Sequence, residues 1–135
     1  MSSPAEVLAA VKACLQQVAG VVLVRRGVPE ITTIRPLPAL CYYREALQTE
    51  QGAGGISECT LKLGVYGVAE VPGGTDFSGL DALEDAVVAA LLDPQRNPYW
   101  AYTTVGETGY LEFALVGHKL AAFDLAVSIE FETAR

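Results

Sequence analysis

The sequence predicts an α+β fold: a single domain over residues 1–135, mainly an antiparallel β-sheet with two flanking helices. Three observations carry this prediction. First, the segment from Ala121 to Thr133 alternates strictly, with Phe123, Leu125, Val127, Ile129 and Phe131 on one side and Asp124, Ala126, Ser128, Glu130 and Glu132 on the other. Successive strand side chains point to opposite faces, so this is a ribbon with one dry and one wet face, as in an antiparallel sheet covered on one side. Burying an apolar side chain is worth about 1.5–3 kcal/mol, so five in a row mark a core strand. Second, two stretches carry apolar residues at helical spacing. Third, the connections after the second helix are short and glycine-marked, which makes the strands there antiparallel neighbours.

The first element is a helix. Ser3, Pro4 and Glu6 spell a capping box with proline at the first helical position, and Val7, Leu8, Val11, Leu15 and Val18 form its apolar stripe. Gly20 is a natural stop. A short strand, Val21 to Arg25, runs into the turn-like Arg26-Gly27-Val28-Pro29. Glu30 to Pro38 contains Pro36 and Pro38 and reads as extended, poorly paired chain, because proline cannot donate to a ladder. Ala39 to Glu45 is a second strand, Gln48 to Gly55 a loop, and Ser57 to Val68 a third strand. In that strand Cys59, Leu61, Leu63 and Val65 face one way and Glu58, Thr60 and Lys62 the other, with Gly64 and Gly67 suggesting a bulge or bend. After the loop Pro72-Gly73-Gly74, Ser78 is the expected cap of a second helix, with Asp81 in its first turn and Leu80, Leu83, Val87 and Leu91 as its buried stripe. Pro94 ends it. Tyr99 to Val105, Tyr110 to Val116 and Leu120 to Thr133 complete the set as three strands.

Hydrophobic residues make up 51% of the chain and charged residues 19%, the balance of a chain that folds around a core. A net charge of −7 argues against binding nucleic acid through phosphates and against anionic lipid, both of which need a basic patch. No apolar run has the length of a membrane span, and Met-Ser-Ser-Pro-Ala-Glu lacks the features of a signal peptide, so the protein is expected to be made and used in the cytoplasm. Cys14, Cys41 and Cys59 are widely spaced among apolar neighbours and read as small buried hydrophobes.

Catalytic signals are sparse. His118, the single histidine, sits in the turn-like Gly117-His118-Lys119 with no positioned partner for acid–base work and no further metal ligands. Glu112, Asp124, Glu130 and Glu132 could share the wet face of the final strands, where paired carboxylates can run glycoside hydrolysis or bind a hard cation. Alternation alone places acids on a solvated face and explains them without further assumption. Gly52-Ala53-Gly54-Gly55 is followed by no P-loop lysine, and Asp76 stands after Gly73-Gly74 where a phosphate would be repelled. The sequence therefore predicts no enzyme, no catalytic residues, no cofactor and no metal. The aromatic residues admit two readings of equal weight. Tyr42 and Tyr43 face opposite ways on one strand, and Tyr99, Trp100 and Tyr102 cluster after the second helix. Tyr, Trp and Arg are enriched where proteins meet, yet half of each aromatic pair is also what fills a core.

The order of the elements resembles the tail terminator proteins of long-tailed bacteriophages, also called minor tail or tail completion proteins. The resemblance covers nearly the whole chain. It rests on the opening helix Glu6 to Val18, the extended segment ending in Pro38-Ala39-Leu40-Cys41-Tyr42-Tyr43 and the alternating strand Cys59 to Val65. The helix Leu80 to Val88 and the final Ala126-Val127-Ser128-Ile129-Glu130-Phe131-Glu132-Thr133 complete it. The resemblance implies a virion structural protein of the tail or neck, assembled in the host cytoplasm, with six copies in a ring on the head-proximal end of the tail tube. Its implied partners are itself, the tail tube protein and the head–tail connector or stopper, with DNA only as passing cargo and no membrane. Compatible contact residues are Gln48, Glu50 and Gln51 in the first loop, Glu70 and Asp76 around the second, Arg96, Tyr99 and Trp100 after the second helix, and Glu130 and Glu132 on the last strand. The alternatives are another neck subunit, such as a head–tail joining or stopper protein, and a small cytoplasmic ligand-binding or regulatory domain.

Overall fold

A computed structural model describes residues 2–134. Helix α1 (Pro4–Gln16) starts where the sequence places its capping box. The Ser3 hydroxyl accepts from the Glu6 N–H at 3.2 Å, and the Glu6 carboxylate accepts from the Ser3 N–H at 3.3 Å. Two of the helix's free donors are thereby satisfied. Then follow β1 (Leu23–Arg26), β2 (Ala39–Gln51), β3 (Ile56–Glu70), α2 (Ser78–Leu92), β4 (Thr103–Leu115) and β5 (His118–Ala134). They form one five-stranded sheet of order β1-β2-β3-β5-β4, antiparallel throughout except for the parallel pair β1–β2. This is the α+β class that the alternation and helical stripes predict.

Both helices lie on one face. Val7, Leu8, Val11 and Leu15 of α1, with Leu80, Leu83, Val87 and Leu91 of α2, pack against Leu61, Leu63 and Val65 of β3 and Phe123 to Phe131 of β5. The dry face read from the last strand is thus the floor of the main core. Cys14, Cys41 and Cys59 are buried and free, and the Cys14 thiol donates to the Ala90 carbonyl at 3.0 Å. Burial pushes the Cys14 and Cys41 thiols above the ordinary thiol range, which keeps them protonated.

The other face has a smaller core at one end. Ile31 and Ile34 fold back from the proline-containing segment onto Ala39, Cys41, Val68 and Ala122. The segment from Glu30 to Pro38 is therefore not simply extended: a turn through residues 31–33 brings two isoleucines down onto the sheet. It makes no ladder, as its prolines require.

Four further expectations are corrected. The predicted loop from Gln48 is strand as far as Gln51, and the turn is confined to residues 52–55. The strands predicted at Tyr99–Val105 and Tyr110–Val116 are one, β4, preceded by a 3-10 turn at Trp100–Tyr102. Bulges lie not at Gly64 and Gly67 but in β2, where Glu45 is the extra residue, and in β4 between Val105 and Thr108. Ser78 is the first residue of α2 and does not cap it; the Asp76 carboxylate accepts from its N–H at 3.0 Å and from its hydroxyl.

Gly67 is needed for close approach. It pairs with Phe123 across β3 and β5, and a Cβ at this position would sit 2.1 Å from the ring carbon Cε2. The Phe123 ring is fully buried and has no exposed side to move to. Gly67→Ala is expected to destabilise the domain by about 1–3 kcal/mol through overpacking. Urea unfolding measures this, and an unchanged midpoint would show that the ring can shift.

Candidate assembly surface

The open part of the second sheet face is assembled by cross-strand register. Glu50 lies opposite Glu58, and Glu58 opposite Glu132. In the next row of that face, Gln48 lies opposite Thr60 and Thr60 opposite Glu130. Directly opposed side chains are about 4.5–5.5 Å apart at Cβ, and like charges there destabilise a sheet. Glu50, Glu58, Glu130 and Glu132 are all exposed, so water screens part of this repulsion. The nearest strand cation on the face, Lys62, stands in the following row opposite Ser128.

Further along the same face a polar cluster is partly withdrawn from water. The Tyr43 hydroxyl donates to Asp124 at 3.0 Å, and the Tyr43 and Tyr66 rings lie 5.6 Å apart. Tyr43 covers Gly64, where a Cβ would meet its ring. Burial, followed by the hydrogen bond to Asp124 and its charge, pushes the Tyr43 hydroxyl well above the usual tyrosine range. Burial and the Asp124 charge push Tyr66 the same way.

The predicted contact residues separate into groups. Gln48, Glu50, Glu130 and Glu132 come together on this face, joined by Glu58. Gln51, opposite Ser57, falls in the alternate register of the same strand. Tyr99 is at that end of the molecule but on the helix side, edge-on to Phe131 with centroids 6.5 Å apart and its hydroxyl donating to Ser2. It is half-buried and extends the core, whereas Trp100 is exposed. Arg96 pairs with Asp93 at 3.5 Å. Glu70 and Asp76 lie towards the opposite end of the sheet, and hydrogen bonds to Ser78 hold the Asp76 carboxyl below the usual carboxylate range. Glu112, a sequence candidate for the wet face, stands opposite Ala121 on the helix side and pairs with Lys119, whose ammonium also sits over the Phe77 ring. His118 is exposed beside the Val116-Gly117 turn, where Gly117 takes φ 82°.

Sequence reasoning missed Asn97, the buried residue that ties α2 to β4. Its amide donates to the Leu91 carbonyl at 2.7 Å and the Thr103 hydroxyl at 3.3 Å, and its side-chain oxygen accepts from the Tyr99 N–H. The available signal was Asn97-Pro98 just beyond a helix end, a turn signature.

A hollow of about 600 Å³ at the acidic end is bordered by Glu58, Glu130, Cys59 and Phe131. Successive residues such as Glu58 and Cys59 point to opposite faces, so these borders do not converge on one ligand. Among the described residues no group of His, Cys, Asp or Glu is arranged to hold a metal ion, and no helix is long and apolar enough to cross a membrane.

Two outcomes are expected. Glu58→Lys, which replaces two like-charge pairs with attractive ones, should stabilise the sheet by about 0.2–1 kcal/mol; a lower denaturation midpoint would contradict the row described above. The raised Tyr43 and Tyr66 values set the sign of an alkaline effect. Above the ordinary tyrosine value of 10.0 the unfolded chain loses these protons while the folded one keeps them. Their stabilising contribution is therefore complete below that pH and is lost as pH rises through the folded values. Thermal unfolding followed from pH 9 to pH 11 should show stability falling, and Tyr43→Phe should flatten that fall; an identical slope in the variant would rule out the linkage.

No family model and no curated protein matches the chain. Among solved structures, it is similar to a chain from the "Virion of native gene transfer agent (GTA) particle", with 14% identity, 91% of this chain and 84% of that chain covered, and a TM-score of 0.44.

Proposed function

We propose that this chain is a virion structural protein: a tail terminator that forms a ring on the head-proximal end of a tail tube, stops tube polymerisation and offers a surface to the head-side connector. The observation that carries the reading is the one-sided dressing of the sheet. Both helices cover one face, while the other keeps an open end of aligned carboxylates and the sheet ends in two free edge strands. Such a molecule offers extended surfaces for contact with other subunits, and the role needs no catalysis. The order of helices and strands that underlies the sequence resemblance supports the same reading. In a ring, Glu50, Glu58, Glu130 and Glu132 suit a wall past which DNA slides, because like charges repel.

Deleting the gene in its own particle system should give tubes of uncontrolled length without attached heads, seen by electron microscopy and reversed by the wild-type gene. Tails of normal length joined to heads would end the proposal. The double variant Glu130→Lys, Glu132→Lys should fold and yet lower particle yield or infectivity. Unchanged yield and infectivity would reduce the acidic face to a scaffold.

A further inference from the structure

The two edges of the sheet carry opposite charge. At the β1 edge, Arg25, Arg26 and Arg44 are exposed, and among the described residues none of them is in an ion pair. Val22 and Val28 flank β1 and are 58% and 65% exposed. At the β4 edge, Tyr110 is 60% exposed and donates to Glu84 of α2 at 3.0 Å. Asp81 and Asp85 of the same helix stand close enough for their charges to act on that hydroxyl. Leu111 beside it is also exposed. One edge is thus predominantly basic, three arginines against the exposed Glu45, with an apolar flank, and the other is acidic with an exposed aromatic.

Strand direction makes the edges compatible. β1 runs with β2; β3 runs against β2, β5 against β3, and β4 against β5. β4 therefore runs opposite to β1, and a second copy in the same orientation brings its β1 antiparallel to β4. Face matches as well. Arg26 stands in register with Tyr42, and Arg44 with Leu63, both on the helix side. Tyr110 stands opposite Phe123, also on the helix side, next to α2. Carried across the sheet without stagger, the Arg26 row reaches Thr108, two residues from Tyr110.

We infer that the protein binds a second copy of itself head to tail, the β1 edge of one against the β4 edge of the next, with Arg26 and Arg44 facing Asp81, Glu84 and Asp85. The contact extends the sheet through edge pairing, a general route for strand recognition. A head-to-tail contact closes into a ring when its rotation permits. The inference names the subunit surface within the assembly reading above and rests on that reading for the ring.

The test exchanges the charges. One variant carries Arg26→Glu and Arg44→Glu, the other Asp81→Lys and Asp85→Lys; all four positions are on exposed or half-exposed surface, and circular dichroism checks the fold. In sedimentation velocity at low salt, the wild type should assemble with rising concentration. Each variant alone should assemble at least about tenfold more weakly, because like charges then meet at the joint. An equimolar mixture should recover assembly, since both of its joints again pair opposite charges. Added salt should weaken wild-type assembly, a readout that needs no variant. A wild type that stays monomeric at every concentration, salt-insensitive assembly, variants that assemble normally, or a mixture that fails to recover would each overturn the contact. Assembly untouched by the exchanges would move the contact elsewhere and leave the tail-terminator reading standing. Salt-sensitive, exchangeable assembly alongside normal tails in the gene deletion would retain the contact and reject that reading.

Discussion

The fold depends on the register of β5 between β3 and β4. From Ile56 opposite Ala134 to Glu70 opposite Leu120, β3 and β5 pair without a break. That register sets Phe123 over Gly67 and puts Leu125, Val127, Ile129 and Phe131 beneath both helices. A slip of one residue would turn Asp124, Glu130 and Glu132 into the core and the phenylalanines into water, because the strand period is two. Burying even one unpaired carboxylate costs more than several apolar contacts return. The alternation of this strand therefore fixes its own register, the dry face on which α1 and α2 sit, and the acidic face that remains.

The outer strands keep that same core by breaking their alternation. In β2, Leu40 and Tyr42 face the helices, and strict alternation from there would put Leu47 on the open face. The extra residue Glu45 resets the phase, so Leu47 pairs with Leu61 and packs against the main core. In β4, Val105 faces Val127, and the extra residue before Thr108 lets the strand continue so that Tyr110 still reaches α2. A bulge adds a residue and local twist without ending the ladder. Here the sequence was legible only in part. The sequence reading ends β2 at Glu45, where the bulge falls, and splits β4 at Gly106 and Gly109, glycines that read as a connection but lie within one strand. Unbroken β5 and the upper part of β3 were assigned to their correct faces, as were the helix stripes and the Ser3–Glu6 cap. Ile31 and Ile34 belong to a second small core that periodicity cannot reveal, because they reach the sheet through a turn rather than a strand.

The surface was legible for single residues and not for their neighbours. Alternation marks Glu58, Glu130 and Glu132 as outward-facing, but only the register of three strands brings Glu50, Glu58 and Glu132 into one row. The same holds for Tyr43 and Asp124, which meet although they are 81 residues apart in sequence. Glu112 shows the converse. It was grouped with the other carboxylates because it lies on a nearby strand, yet its row places it on the helix side with Lys119.

The charge distribution has a physical consequence beyond any one residue. A merely solvated sheet face has no reason to oppose like charges, since an interspersed lysine stabilises the same strands. Sixteen acidic residues against nine basic ones make some crowding unavoidable, but not its position. Arg25, Arg26 and Arg44 stand near the β1 edge, while the carboxylate row occupies the far end of the open face and α2 carries Asp81, Glu84 and Asp85 above the β4 edge. Moving one arginine into the glutamate row would relieve the sheet locally. It would also remove the contrast between the two edges and soften the acidic face. A local rule broken without compensation inside the fold is where a constraint from outside the fold acts. In this molecule that place is the open end of the sheet face, where Glu50, Glu58 and Glu132 stand in one row on the side that the helices leave uncovered.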